Sequence, residues 1–224
     1  MTKTVEEIIQ IFKKQKNEHN LAGMVRFGIK TDKAYGISIP ELRQLAKNIG
    51  KNQQLADKLW ESGIHEARLL ACFIARPAEI SQVQTEAWVK DFDSWDICDQ
   101  CCSNVFDKTP WAYDKADEWS RREEEFVKRA GFVMMAALSV HDKKASDSKF
   151  LPFFERIKQE AEDERNFVRK AVNWALRQIG KRNVVLYDEA IRVAKEIQKI
   201  NSKTAKWIAG DALREFRKKE AKFK

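Results

Sequence analysis

The chain has 224 residues, enough for one sizeable core or an elongated array, with 42 Lys plus Arg against 34 Asp plus Glu and a formal charge of +8. That balance points to a polyanionic partner before an acidic protein or a metal. Eight Gly and four Pro are few for a turn-rich sheet protein, no apolar stretch approaches the ~20 residues of a membrane span, and the N-terminus lacks the basic start and apolar run of a secretory signal.

Every long segment reads as helix. Residues 5–14 and 19–27 are short amphipathic helices, and Asp32 to Pro40 is the first clear loop. Pro40 suits the first turn of a helix running to about Asn48 and stopped by Gly50. Helices follow near 52–61, 65–76, 81–90, 95–107 and 111–120, with Pro77 and Pro110 marking breaks. Glu123 to His141 is long and strongly apolar, and helices near 149–162, 165–180, 184–199 and 203–219 complete the chain. Val184-Val185-Leu186-Tyr187 is the best strand candidate, but Asp188 to Ala194 continues it with helical spacing.

Internal repetition adds an architecture. The stretches starting at His65, Phe126, Phe167 and Lys203 each place a basic residue just before an apolar helical run, and the last three recur at roughly 40-residue spacing. That spacing suits stacked helix pairs, and on periodicity an all-α solenoid of HEAT type is preferred over an irregular helical bundle. The expectation is about six helix pairs in a single domain over residues 1–224, with a short helical segment at 1–35, repeats over about 36–220 and a concave basic face.

The helical faces nominate residues. In Phe92 to Asp99, Trp95 and Asp99 stand four apart on one face, so a carboxylate lies beside aromatic surface in a basic protein. A structural reading packs the indole over the helix start and ties Asp99 to a neighbouring helix; a functional one aims the carboxylate at something positive. On the helix from Arg165, Val168, Ala171, Val172, Ala175 and Ile179 form the apolar face, while Lys170, Trp174, Arg177 and Lys181 line the far side. Trp174 is either shielded by its neighbours' aliphatic stems or an aromatic platform within a phosphate-neutralising strip. Arg129, at the border of its helix's apolar stripe, is either salt-bridged or a rigid phosphate ligand. Lys206 begins another repeat, and the tail Lys218 to Lys224 adds nonspecific basic charge.

Metal and redox chemistry are not suggested. His19, His65 and His141 are far apart in sequence, and Cys98-x-x-Cys101 has no second Cys pair or nearby His. With Cys72 and Cys102 these read as reduced, partly buried thiols of a cytoplasmic protein. Asp96 is expected to cap or salt-bridge locally.

Four motifs, Gly36-Ile-x-x-Pro-x-x-Arg43, Ser94-Trp95-Asp96-x-x-Asp99, Lys128-Arg129-Ala130 and Arg169-Lys-Ala-x-x-Trp174-x-Leu-Arg177, resemble in order and approximate spacing the DNA alkylation repair enzymes of the AlkD type. The resemblance spans the chain from about residue 20. It implies a HEAT-like repeat DNA glycosylase that excises cationic N3- and N7-alkylated purines from duplex DNA without flipping the base, as a monomer with no cofactor, metal or obligate protein partner. It places the carboxylate that promotes cleavage on Asp99, its partner aromatic on Trp95, a phosphate-binding arginine on Arg129 and a second aromatic on Trp174, with the two indoles flanking the lesion's deoxyribose. Arg43, Lys170, Arg177, Lys181 and Lys206 join Arg129 as expected DNA contacts. Ser94 stands where some relatives carry a second tryptophan. The alternatives are a noncatalytic HEAT-repeat scaffold for damaged or branched DNA and a protein-binding adaptor, which would leave Asp99 without a purpose.

Overall fold

The computed structural model describes residues 3–220, so Lys222 and Lys224 of the basic tail lie outside the described residues. Among those residues there are thirteen α-helices, two short 3₁₀ turns and no strand. No helix is long and apolar enough to cross a membrane among the described residues. The chain divides after Thr109 into two compact units, at the break that Pro110 marks in the sequence.

Unit 1 holds α1 (Val5–Lys14), α2 (Glu18–Arg26), α3 (Ile39–Ile49), α4 (Gln53–Glu61), α5 (His65–Ile74), α6 (Gln82–Lys90) and α7 (Trp95–Asn104). Their starts are chemically marked. Thr4 accepts from the Glu7 amide at 3.2 Å while Glu7 accepts from the Thr4 amide at 2.9 Å, and Ser38 donates in the same way to Glu41 ahead of Pro40. Asn17, Asn52 and Ser81 each accept from the amide three residues on. α5 is the central helix, buried along its whole length except at Arg68. α4 and α6 meet through the stacked indoles of Trp60 and Trp88, 4.2 Å apart, and Trp60 Nε1 donates to Asp91.

Unit 2 holds α8 (Ala112–Ser120), α9 (Glu125–His141), α10 (Leu151–Gln159), α11 (Asn166–Gly180), α12 (Val184–Gln198) and α13 (Lys203–Lys219). The Val184 stretch is the first turn of α12, capped by Asn183, so its helical continuation outweighs its β-branched start. α9 is buried from Val127 to Ser139, enclosing Lys128 and Arg129 along with its apolar residues. It can pack this closely because of Gly131, where an added Cβ would stand 2.3 Å from the Ser120 amide nitrogen on α8.

Two helical glycines, one in each unit, differ in what surrounds them. Gly131 sits against rigid backbone, whereas Gly23 inside α2 has nothing within 4 Å of an added Cβ. Gly131→Ala is expected to destabilise by ~1–3 kcal/mol through overpacking, and Gly23→Ala to stabilise by ~0.5–1 kcal/mol through helix propensity. Urea unfolding of the two variants checks the pair; a neutral or stabilising Gly131→Ala would contradict the close α8–α9 contact, and a destabilising Gly23→Ala the open surroundings of Gly23.

Candidate functional site

The start of α7 is fixed from three directions within unit 1. Trp95 Nε1 donates to the carbonyl of Phe27 at the C-terminus of α2, at 3.1 Å, which sets the plane of a half-buried indole. Asp96 Oδ2 accepts from His65 Nε2 at 2.8 Å, and Asp96 Oδ1 accepts from the Ile97 amide at 3.0 Å. Ile97, Cys98, Cys101 and Cys102 press the opposite face into the core. Asp99, half-buried, comes one turn after Trp95 on the same side.

Beside its local bond to the Ile97 amide, Asp96 has a distant partner that a local cap or salt bridge did not anticipate: His65 comes from α5, 31 residues earlier. His65 is only 7 % exposed and Asp96 only 14 %, so the pair is largely desolvated. Burial opposes the charged imidazolium, but the hydrogen bond and charge of Asp96, helped by Glu66 and Asp93, outweigh it and raise the His65 pKa. Burial also opposes ionisation of Asp96, yet His65, Ser94 and the Ile97 amide hold its carboxyl below the usual range. Lys30, Lys33, Arg68 and Asp93 line a recess of about 280 Å³ beside His65, so the ring meets charges of both signs.

Beside His65, the wholly buried Glu66 closes the Asp32–Pro40 loop. Its Oε1 accepts from the Tyr35 and Gly36 amides at 2.9 and 2.7 Å. Gly36 has φ +76°, and an added Cβ would lie 2.4 Å from the Asn17 carbonyl oxygen. The glycine of the first motif is thus required by loop closure. Its arginine, Arg43, is exposed; its guanidinium lies over Phe73 at 4.4 Å and donates to Gln100, next to Asp99, at 2.9 Å.

Unit 2 sorts its cations into closed and open ones. Lys128 and Arg129 are 6 % and 5 % exposed. Lys128 bonds Glu160 at 2.8 Å, and Arg129 Nη1 donates to the Phe167 carbonyl at 2.6 Å, tying α9 to the first turn of α11. Along the strip on α11, Lys170 is exposed and Trp174 half-buried. Arg177 and Lys181 both donate to Glu215 on α13, Lys181 at 2.7 Å, and Asp211 lies 3.7 Å from Arg177. Burial opposes the charge on Glu215, but Lys181 and Arg177 keep its carboxyl below the usual range. Lys206, on α13, is exposed.

Sequence reasoning missed His65, Glu66 and Glu215. The signal for Glu215 was its i,i+4 spacing from Asp211, an acidic pair on the helix that follows a cationic strip. The four cysteines are free and fully buried rather than partly so, and burial first of all pushes the Cys101 and Cys102 thiols up. Among the described residues no three His, Cys, Asp or Glu side chains are grouped to hold a metal ion.

The family model described as DNA alkylation repair enzyme matches residues 8–216. A curated relative, the uncharacterized protein Lin0241 of Listeria innocua, is 24 % identical over 170 residues, covering 75 % of this chain and 74 % of its own. A solved structure described as a new family of proteins related to the HEAT-like repeat DNA glycosylases, with affinity for branched DNA structures, superposes with a TM-score of 0.80 at 21 % identity over 95 % of each chain. That likeness establishes the all-helical HEAT-like repeat fold expected from the sequence.

The His65–Asp96 pair gives unit 1 a characteristic pH response. The contribution of His65 is fully present below its unfolded value of about 6.5 and is lost as pH rises through its raised folded value; that of Asp96 is present above about 3.9 and is lost as pH falls through its depressed one. The stability difference between wild type and His65→Gln should therefore shrink as pH rises from about 6 to about 9. Urea titrations across that range measure it, and a constant difference would contradict a charged pair.

Proposed function

The chain belongs to the DNA alkylation repair enzyme family, and we propose that it is a monofunctional glycosylase hydrolysing the N-glycosidic bond of N3-alkyladenine and N7-alkylguanine in duplex DNA. The observation that carries this reading is the start of α7: a half-buried carboxylate, Asp99, one turn beyond an anchored indole, Trp95, in a chain of charge +8. The family resemblance places the cleavage-promoting carboxylate on Asp99, and Asp96, the other carboxylate of that turn, pairs with His65.

The substrate makes a carboxylate sufficient. An N3- or N7-alkylated purine is already cationic, so it leaves C1′ as a neutral base with both electrons of the glycosidic bond and needs no strong general acid. Positive charge grows on the sugar, where a fixed carboxylate in a partly water-excluded setting stabilises it more than bulk water does. Water then adds to C1′ and gives its proton to Asp99. Trp95 contacts the deoxyribose, and Trp174 takes the second aromatic role that the resemblance implies, with the lesion base left in the duplex.

Phosphate binding is assigned first to the open cations Arg43, Lys170 and Lys206. Arg177 and Lys181 contribute by exchanging Glu215 for phosphate, while Arg129, the phosphate ligand that the resemblance implies, is enclosed and acts by holding the start of α11 in place. If about five phosphates are neutralised, log affinity falls against log salt with a slope of roughly −4 to −5, and Lys170→Ala lowers the slope by about one. A titration without salt dependence, or one in which Lys170→Ala leaves the slope unchanged, contradicts this assignment.

The affinity for branched DNA described for the structural relative supports a second reading, a noncatalytic scaffold. Single-turnover release of N7-methylguanine by saturating wild type and Asp99→Asn separates the two. The substitution keeps size and hydrogen bonding but removes charge, and should slow release by ~10²-fold or more with duplex affinity within about two-fold of wild type. Equal rates reject Asp99 as the catalytic carboxylate; no release from either alkylpurine favours the scaffold.

A further inference from the structure

Among the described residues of unit 2, Trp207 is the exposed aromatic. Trp119 is fully buried, whereas Trp207 is 39 % exposed. The placement follows from the helix itself. α13 buries Ala205, Ile208, Ala209, Ala212 and Phe216, and at 3.6 residues per turn Trp207 falls on the opposite side with Lys203 and Arg214. The indole is directed outward by its register on the helix.

Its surroundings fit a flat, anionic ligand. Arg169, from α11, lies over the indole with Cζ 5.3 Å from the ring centroid, and its Nε is enclosed without a hydrogen-bond partner. Three residues beyond Trp207, Gly210 leaves the surface unfilled: an added Cβ would meet only Arg214 Nη1, at 3.7 Å. Lys203 and Lys206 are exposed on either side of Thr204 and Ala205. Asp211, the nearby acid, is held by Arg214 at 2.9 Å and faces Arg177 at 3.7 Å, so the patch stays positive.

We propose that Trp207, backed by Arg169, is a stacking platform for an unpaired nucleobase, with Lys203 and Lys206 taking the phosphates beside it. The proposal rests on the DNA-binding reading above and adds a substrate feature to it. A paired duplex buries its base faces in its own stack and offers a surface indole only sugar and phosphate. A single-stranded arm offers a π face that covers the indole, with flanking charge that the lysines neutralise, and such stacking is sequence-tolerant. The platform therefore gives preference for DNA carrying an unpaired segment over fully paired DNA, independently of the carboxylate on α7.

The test is equilibrium binding of two fluorescently labelled DNAs at one salt concentration, a fully paired duplex and the same duplex with a single-stranded arm. Wild type should prefer the arm-bearing DNA by about ten-fold, within the range reported for loss of one base–aromatic stack. Trp207→Ala should bring the two affinities near parity while leaving paired-duplex affinity within about two-fold, and Trp207→Phe should keep most of the preference. Arg169→Gln, which leaves the indole in place, should lower it. Absence of preference in wild type, an unchanged preference in Trp207→Ala, or equal loss on both DNAs overturns the platform and leaves the DNA-binding reading standing. Failure of wild type to bind either DNA overturns both.

Discussion

The buried pair between His65 and Asp96 is the constraint on which the candidate site depends. Taking two charged groups out of water is costly, and their attraction repays it only with close geometry and further hydrogen bonds. Both conditions hold: the contact is 2.8 Å, and Asp96 also accepts from the Ile97 amide. Such a pair contributes little net stability compared with apolar packing, but it fixes register. Here it ties the first residue of α5, the central helix, to the first turn of α7, while Trp95 is tied to the end of α2. Asp99 thus projects from a helix whose start cannot rotate without breaking a desolvated ion pair.

The same distinction between closed and open charge runs through the protein. Lys128 and Arg129 are enclosed, bonded to Glu160 at 2.8 Å and to the Phe167 carbonyl at 2.6 Å. These cations hold helices together and are poorly placed to exchange partners. Arg43, Lys170, Lys203 and Lys206 are exposed. A formal charge of +8 therefore overstates neither the scaffold nor the binding surface; it is divided between them, and only the exposed share releases counterions from a polyanion.

The helices were legible because their signals are local. Caps at Ser38, Asn52, Ser81, Asn183 and Ser202, and apolar residues at helical spacing, mark each one within a few residues. The starts of α9 and α10 fall two residues later than expected, at Glu125 and Leu151, and the larger misses are at C-terminal ends, where several endings compete. α5 stops at Ile74 because Ala75 is extended, shortly before Pro77, and α7 stops at Asn104, with the Phe106–Lys108 3₁₀ turn replacing its expected last turn. The tertiary partners were not legible for a different reason. His65 and Asp96 are 31 residues apart and Arg177 and Glu215 are 38 apart, so a reading of one helical face at a time sees an isolated histidine and an open cationic strip. Trp95 and Asp99 were legible as a pair because a single helix carries both.

The central claim is that this helix start serves bond cleavage rather than binding alone. It is tested most directly by incubating the protein with duplex DNA containing N7-methylguanine and separating the products by chromatography. The account predicts free N7-methylguanine, with an equal amount of strand bearing an abasic site. Retention of the intact modified strand, under conditions where the duplex is fully bound, would contradict it.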